Sequence, residues 1–456
     1  MFFSHNCSQL SLKEENQKVI LSGWVKKIRQ LGSLLFFDLQ DNYGFIQIIV
    51  KNPNLINDLT KKVNRGYLLK VVGIVKSKLK ANFSLKKDNL KENNNIEIEL
   101  ESYQIINPSK VLPFEIEDEV NINEDTKYRY RYLDLRRPNS KRLLVVKNQL
   151  LYELRKFFYE EKFIEVETPI LAQSSPEGAN CFLVVSNFKD RYYTLPQSPQ
   201  IFKQLLMIGG FAKYYQIAKT FRNEDARSNR QVEFLQLDLE MSFTSSQEII
   251  NLVEKFLKYI LQKTFDYSVK IPFSHLTYQQ VIDKYGSDKP DLRANKNDKE
   301  LSFYWITDWP LFEYNSQTKK YEALRHPFTA PKSEYLEPFL NNKIAPDQII
   351  GEAFDLVCNG EELLSGGMRI YQRPLQEKVL ETLGYKEEER EKHFGYFLQA
   401  LDFAAPPHGG IGFGIDRLLA IILEVRSLKE LIAFPKNIDG TCSLTGTPNL
   451  IDKDLK

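Results

Sequence analysis

The residues best suited to chemistry fall in four short stretches of the 456-residue chain. Arg222 and Glu224 leave an alternating strand two residues apart, so both side chains reach one face. An Arg fork grips a planar carboxylate or phosphate at two points, and a neighbouring carboxylate takes up an amine. Gln200 and Lys203 lie three apart at the start of a helix and share its face. Asp355 and Glu362 sit on a pair of adjacent strands, where two carboxylates could hold a magnesium ion. The run HGGIGFGIDR (His408–Arg417) lets backbone approach a phosphate and puts Arg417 at the mouth of a helix. It is neither G-x-G-x-x-G nor a P-loop, so it supports neither a dinucleotide fold nor a Walker site. Taken singly, each stretch is equally the charged face of an ordinary element. Together they can bind carboxylate, phosphate and amine.

The elements that must position these residues are legible from periodicity. Gln216–Phe243 reads as two strands joined by a charged loop at Asp225–Gln231. Asn139–Lys162 has the spacing of an amphipathic helix (Leu143, Val146, Leu150, Leu154, Phe157) and runs into a strand, Phe163–Pro169. A helix is expected from Ser198, with Pro199 in its first turn, and others over 245–264 and 276–285. Phe354–Tyr371 is expected as a strand pair carrying Asp355, Glu362 and Arg369. Ahead of all this, residues 18–106 alternate as five strands with one helix after the third, the order of an OB barrel, whose open face takes single-stranded nucleic acid. The Asn/Lys-rich run Leu79–Asn95 is expected as a solvated loop, and residues 109–137 as a hinge. Within the hinge, KYRYRYLDLRR (Lys127–Arg137) could meet phosphates and bases, or could be a half-exposed segment.

Composition narrows the class. With 62 basic and 60 acidic residues the net charge is +2, so any RNA contact must be local and shaped. Cys7, Cys181, Cys358 and Cys442 form no C-x-x-C pair and the five histidines no ligand cluster, which argues against zinc and against a disulfide framework. No apolar run is long enough to span a membrane and no signal peptide is visible; a soluble, cytoplasmic protein is expected.

Several longer motifs then coincide. GWVKKIRQLGSLLFFDL, YRYLDLRR, SPEGA, LPQSPQIFKQLLM, FRNEDARSNRQVEFLQLD, GSDKPDLR, RHPFTAP, GGIGFGIDR and AFPK follow one another along nearly the whole chain. In order and spacing the chain resembles the aspartyl-tRNA synthetase family of the class II aminoacyl-tRNA synthetases, in its bacterial form. The resemblance implies an α+β protein: an OB-fold anticodon-binding domain (1–108), a hinge (109–137), and a class II catalytic domain (138–456) with an antiparallel sheet flanked by helices. It implies a homodimer through residues 138–169, and aspartate, ATP with Mg²⁺, and tRNA-Asp as partners. Arg222 would bridge the aspartate carboxylate and the α-phosphate, and Arg417 would clamp the γ-phosphate. Glu224, Phe234, Gln231, Asn223, Gly414, Ile415 and Asp416 would hold ATP, with Asp355 and Glu362 holding magnesium. Glu177, Gln200 and Asp238 would take the substrate ammonium, and Lys203 and Arg369 its side-chain carboxylate. Phe36, Arg29 and Gln47 would read the anticodon.

The departures are equally specific. Bacterial members usually carry an extra domain after GSDKPDLR; here only Ala294–Tyr304 separates Arg293 from Trp305. Where most bacterial members read His-His-Pro-Phe, this chain has Arg325-His326-Pro327-Phe328, so the substrate contact falls to Arg325 or His326. Gln40 stands where an arginine is usual. The sister asparaginyl enzyme shares the architecture, but Lys203 and Asp238 favour aspartate, since with asparagine both cations would lack a counter-ion. Charging of tRNA-Asn as well stays open, although Leu31 leans towards tRNA-Asp.

Overall fold

Alternation between Lys18 and Asn107 closes into a barrel because every second side chain is apolar and has one interior to share. Its strands are β1 (Lys18–Leu31), β2 (Leu34–Gln40), β3 (Phe45–Val50), β4 (Leu68–Ser77) and β5 (Ile96–Asn107), paired in the order β1-β2-β3-β5-β4. Helix α1 (Pro53–Lys62) follows β3, with Asn52 capping its amides and Pro53 in the first turn. Val19, Leu21, Leu35, Phe37, Leu39, Ile48, Val71 and Ile98 fill the interior. The computed structural model describes residues 1–78, 95–173, 180–224, 227, 229–296 and 299–450; almost all of the expected loop at 79–95 lies outside these.

The chain divides into two units, Met1–Asn139 and Ser140–Lys456. In the first, KYRYRYLDLRR is not an open basic patch. It forms two short helices, Glu124–Arg129 and Arg131–Asp134. Arg131 is buried against Asp134, while Arg137 pairs with Asp134 at 3.4 Å and donates to the carbonyls of Asp118 and Val120 at 2.8 and 2.9 Å. Arg136 stacks 4.3 Å from the Trp24 ring centre. Basic residues spent on internal carboxylates and carbonyls have few donors left for phosphates.

The second unit is built on an eight-stranded sheet. Its strands are β6 (Ile164–Glu165), β7 (Lys213–Phe221), β8 (Glu233–Ser242), β9 (Ser274–Thr277), β10 (Phe303–Thr307), β11 (Ala353–Cys358), β12 (Glu361–Met368) and β13 (His408–Gly414). They pair in the order β9-β10-β11-β12-β13-β8-β7-β6, antiparallel except at the two outer pairs. Helix Pro138–Glu160 and helix Ser246–Phe265 lay their apolar stripes on one face, where Leu143, Leu150, Phe157, Val253, Phe256 and Leu257 meet Leu237, Leu239, Trp305, Leu356, Ile411 and Phe413. Ser245 and Glu248 close the second helix in a capping box. The strand expected over 163–169 is shorter, because only Ile164 and Glu165 find partners, on Tyr214 and Tyr215. The helix expected from Leu276 begins at Tyr278, since Ser274–Thr277 pair with β10. The helix expected from Ser198 begins at Gln200, with Pro199 as its cap position. Periodicity gave no account of helices Arg373–Thr382 and Glu387–Leu401 or of the hairpin Phe312–Asn315/Lys320–Ala323.

Candidate active site

The period of two along β8 separates core from chemistry. Leu235, Leu237 and Leu239 face the helices; Phe234, Gln236, Asp238 and Glu240 face the other way. The register places Gln236, Asp238 and Glu240 directly across from Gly414, Gly412 and Gly410 of β13. A Cβ at Gly410 would overlap the Glu240 carboxylate, and one at Gly412 would overlap the Gln236 amide. At these two positions glycine therefore makes room for polar side chains of the neighbouring strand rather than for a ligand. On this face a cavity of about 230 Å³ opens. Gln200, Lys203, Arg222, Glu224, Gln231, Phe234, Asp238, Arg325, His326, Glu362, Arg369, Gly414, Asp416 and Arg417 all line it, drawn together from residues 200 to 417.

One end of the cavity is a buried ionic network. Lys203 Nζ donates to Asp238 Oδ1 at 3.1 Å and to the Ile411 carbonyl at 3.1 Å, and forms an ion pair with Glu240 Oε2 at 3.4 Å. Arg369 donates from Nε to Glu240 at 2.9 Å and from Nη2 to the Gly410 carbonyl at 3.0 Å, and its Nη1 meets His326 Nε2 at 2.6 Å. Arg369 Cα lies beyond the end of β12, bridged to Thr329. Burial pushes Asp238 above the usual carboxylate range despite Lys203. Glu240 is held below its ordinary value because Arg369 and Lys203 outweigh its burial. Burial and the nearby Arg369, Lys203 and Arg325 hold His326 well below its ordinary value, so it is neutral. Two cations thus face two carboxylates. The expectation that asparagine would leave Lys203 and Arg369 without a counter-ion does not hold: Asp238 and Glu240 already supply one for each, and Glu240 touches both cations. Gln200 Nε2 is buried without a partner among the described residues, a donor aimed into the same region.

The other end carries net positive charge, with Arg222, Arg230 and Arg417 facing Glu224 and Glu362. Arg222 sits 5.4 Å from the Phe234 ring centre, its Nε buried and unpartnered among the described residues. Burial, and then Arg417 beside it, push its guanidinium below the usual value. Two guanidiniums that repel each other in a half-buried cavity are relieved by an anion between them. Arg417 Nη1 donates to the Glu362 carbonyl at 2.8 Å, which fixes its direction. Gln231 accepts from Lys436 N–H at 3.1 Å, and Lys436 also pairs with Glu233 at 2.8 Å. Glu224 stands 3.5 Å from Arg230 at the loop edge.

Other expected residues are placed differently. Asn223 is exposed and does not line the cavity. Ile415 is buried in the apolar core and does not line the cavity. Asp416 lines the cavity, and its carboxylate pairs with Lys147 at 2.5 Å. Asp355 does not line the cavity; its carboxylate is taken by Arg325. Glu177 lies outside the described residues. In the barrel, Arg29 is directly across from Phe36, and Gln47 across from Asp38, which pairs with Arg29 at 3.2 Å. All four share the outer face and Phe36 is half-buried. Glu240, Gln236 and Lys436 were missed as site residues. The signal for Glu240 was present: a second carboxylate two residues after Asp238, on the same face of the strand, in LDLEM.

Comparison with known proteins agrees with this geometry. Residues 123–438 match the class II tRNA synthetases (D, K and N), and residues 19–106 match the OB-fold nucleic acid binding domain. An aspartate–tRNA ligase of Mycoplasma capricolum is 34% identical, covering 99% of this chain and 98% of its own length. One from Thermosipho africanus is 32% identical over 99% and 96%, and an aspartate–tRNA(Asp/Asn) ligase of Geobacillus 34% over 99% and 96%. The Mycoplasma alignment spans 576 positions, more than the 456 residues available here, so at least 120 of its positions face gaps in this chain. Among solved structures, Pyrococcus horikoshii asparaginyl-tRNA synthetase superposes with a TM-score of 0.76 at 21% identity, covering 95% of this chain and 98% of its own. Entamoeba histolytica aspartyl-tRNA synthetase superposes at 0.72 and 20%, covering 94% and 91%. These two speak to the fold. The chain belongs to the class II tRNA synthetases of the D, K and N group, in the family of the aspartate–tRNA ligases.

Proposed function

We infer that this protein activates L-aspartate with ATP and transfers it to the 3′ end of tRNA-Asp. The observation that carries the reading is the division of one cavity into an ionic pocket at Lys203, Asp238 and Arg369 and an electropositive end at Arg222 and Arg417. In the first step the aspartate α-carboxylate attacks the α-phosphate and pyrophosphate leaves. Two anions must meet, and Arg222 between them lowers the barrier by cancelling charge and fixing approach. Arg417 would hold the departing phosphates. Glu224 at the loop edge would accept from the adenine amine, with Phe234 under the ring. In the second step a ribose hydroxyl attacks the acyl carbon and releases AMP. At the amino-acid end, Gln200 and Asp238 would meet the ammonium. Arg369 keeps one Nη1 N–H for a side-chain carboxylate, since its other four donors are engaged.

Magnesium is the ion this family generally uses with ATP. Glu362 lines the cavity and suits a phosphate-bound ion. Asp355, tied to Arg325 and outside the cavity lining, does not fit as its second ligand. Among the described residues, no group of three or more His, Cys, Asp or Glu side chains could hold a metal, and no helix is long and apolar enough to cross a membrane. The barrel would read the anticodon through Arg29, Phe36 and Gln47. A dimer through residues 138–169 is supported by Val145, Tyr152 and Tyr159, exposed at seven-residue spacing along one helix, with Ile164 beside them. ATP–pyrophosphate exchange tests the reading: aspartate should support it and asparagine should not. A second reading, charging of tRNA-Asn too, is favoured by the similarity to the aspartate–tRNA(Asp/Asn) ligase. Aminoacylation of each purified tRNA separates the two.

A further inference from the structure

The cation at Asp355 is a side chain. Arg325 Nη2 pairs with Asp355 Oδ2, and Arg325 Nη1 lies 3.5 Å from Ser365 Oγ. Its guanidinium carbon stands 3.4 Å from the Trp309 ring centre. That indole is fixed in turn: Nε1 donates to the Ile306 carbonyl at 3.2 Å, and the Tyr278 ring packs on it, tilted by 39° at 4.6 Å between centres. Stacking on a buried, hydrogen-bonded indole locks a guanidinium plane in a way that a flexible ammonium cannot match. Both partners are mostly buried, with side-chain exposures of 14% for Arg325 and 3% for Asp355. The remaining carboxylate oxygen, Oδ1, is buried and without a partner among the described residues.

We propose that Arg325 is a built-in cation that occupies Asp355 permanently, so that a divalent ion in this enzyme is held by Glu362 and nucleotide oxygens without Asp355. Three observations favour a guanidinium over a metal there. Magnesium keeps several waters and demands octahedral oxygen geometry, whereas Asp355 Oδ1 has no solvent-facing surface. A second cation beside the locked guanidinium would be repelled in a low-dielectric site. Asp355 also stands apart from the cavity lining while Arg325, Ser365 and Glu362 form it. Arg325 thus serves as a positioning residue: it neutralises Asp355 from the cavity wall that it shares with Ser365 and Glu362.

The proposal rests on the cavity being a nucleotide site, which calorimetry with a non-hydrolysable ATP analogue measures separately in the same samples. The probe for the proposal itself is Mn²⁺, counted by electron paramagnetic resonance on the enzyme–analogue complex without turnover. Asp355→Asn should leave the number of bound ions unchanged from wild type. Arg325→Gln should gain one ion per chain, and the double variant should return to the wild-type number. Arg325→Lys keeps the charge and should bind as wild type does, which separates charge from shape. Loss of an ion on Asp355→Asn alone overturns the proposal, as does an Arg325→Gln enzyme that gains none.

Discussion

Replacing Lys203 by methionine tests the ionic pocket most directly, because methionine keeps the volume and removes only the charge and its three donors. The ammonium contacts Asp238, Glu240 and the Ile411 carbonyl, all buried. Without it, Arg369 alone faces two carboxylates, and the pocket changes from neutral to net negative. Breaking a buried pair by removing one partner costs on the order of 3–5 kcal/mol, which denaturant unfolding would read as a lower midpoint at constant slope. The loss should depend on pH, with a definite sign. Asp238 already titrates above its unfolded value, so the native state holds its proton more tightly and stability falls as pH rises from the unfolded value to the folded one. Removing Lys203, the main group opposing that shift, widens the window upwards, so the variant should lose more stability at about pH 8 than at about pH 5. In catalysis, a net negative pocket opposes a side-chain carboxylate. A loss on the order of 2–5 kcal/mol corresponds to about 30- to several-thousand-fold in kcat/KM for aspartate, with asparagine activation little changed or raised. Pyrophosphate exchange with each amino acid gives the ratio. A variant that keeps both the wild-type preference and a pH-independent stability change would refute the network as the seat of discrimination.

Gly410→Ala should cost at least about 1–3 kcal/mol in denaturant unfolding, because its Cβ overlaps the Glu240 carboxylate and the Leu239 carbonyl; an unperturbed midpoint would show that Glu240 has room to move. Phe36→Ala should lower kcat/KM for tRNA about 5- to 150-fold, the loss of about 1–3 kcal/mol of base stacking, and leave adenylate formation untouched; equal losses in both assays would contradict the division of labour. The chain should form adenylate without any added insertion domain, since the segment between Arg293 and Trp305 supplies no residue named here for ATP or aspartate. Activity that appears only after grafting one would argue otherwise. Tyr159→Glu should shift a dimer towards monomer in sedimentation, and no shift would remove the exposed helix stripe as the interface.

Much of this protein was determined by its sequence alone, for a local reason. Strand and helix periods are short-range, so the five barrel strands, the long helix at Pro138–Glu160 and the hairpin bearing Arg222 were legible from spacing to within a few residues. Motif order brought Gln200, Lys203, Asp238, Arg369 and Arg417 into view as candidates before any contact was known. Pairing across the centre of the sheet was not legible, because β13 and β8 are neighbours although more than a hundred residues separate them in the chain. Only that order sets Glu240 against Gly410 and hands Lys203 and Arg369 the same counter-ion. The reversals have the same origin. Asp416 met Lys147, Asp355 met Arg325, and Arg131 and Arg137 of KYRYRYLDLRR met Asp134 and nearby carbonyls. In each case a charge with an evident role in a motif found a partner inside the protein, whether three residues away, as Asp134 is from Arg131, or in another element, as Lys147 is from Asp416, and burial favoured that pairing.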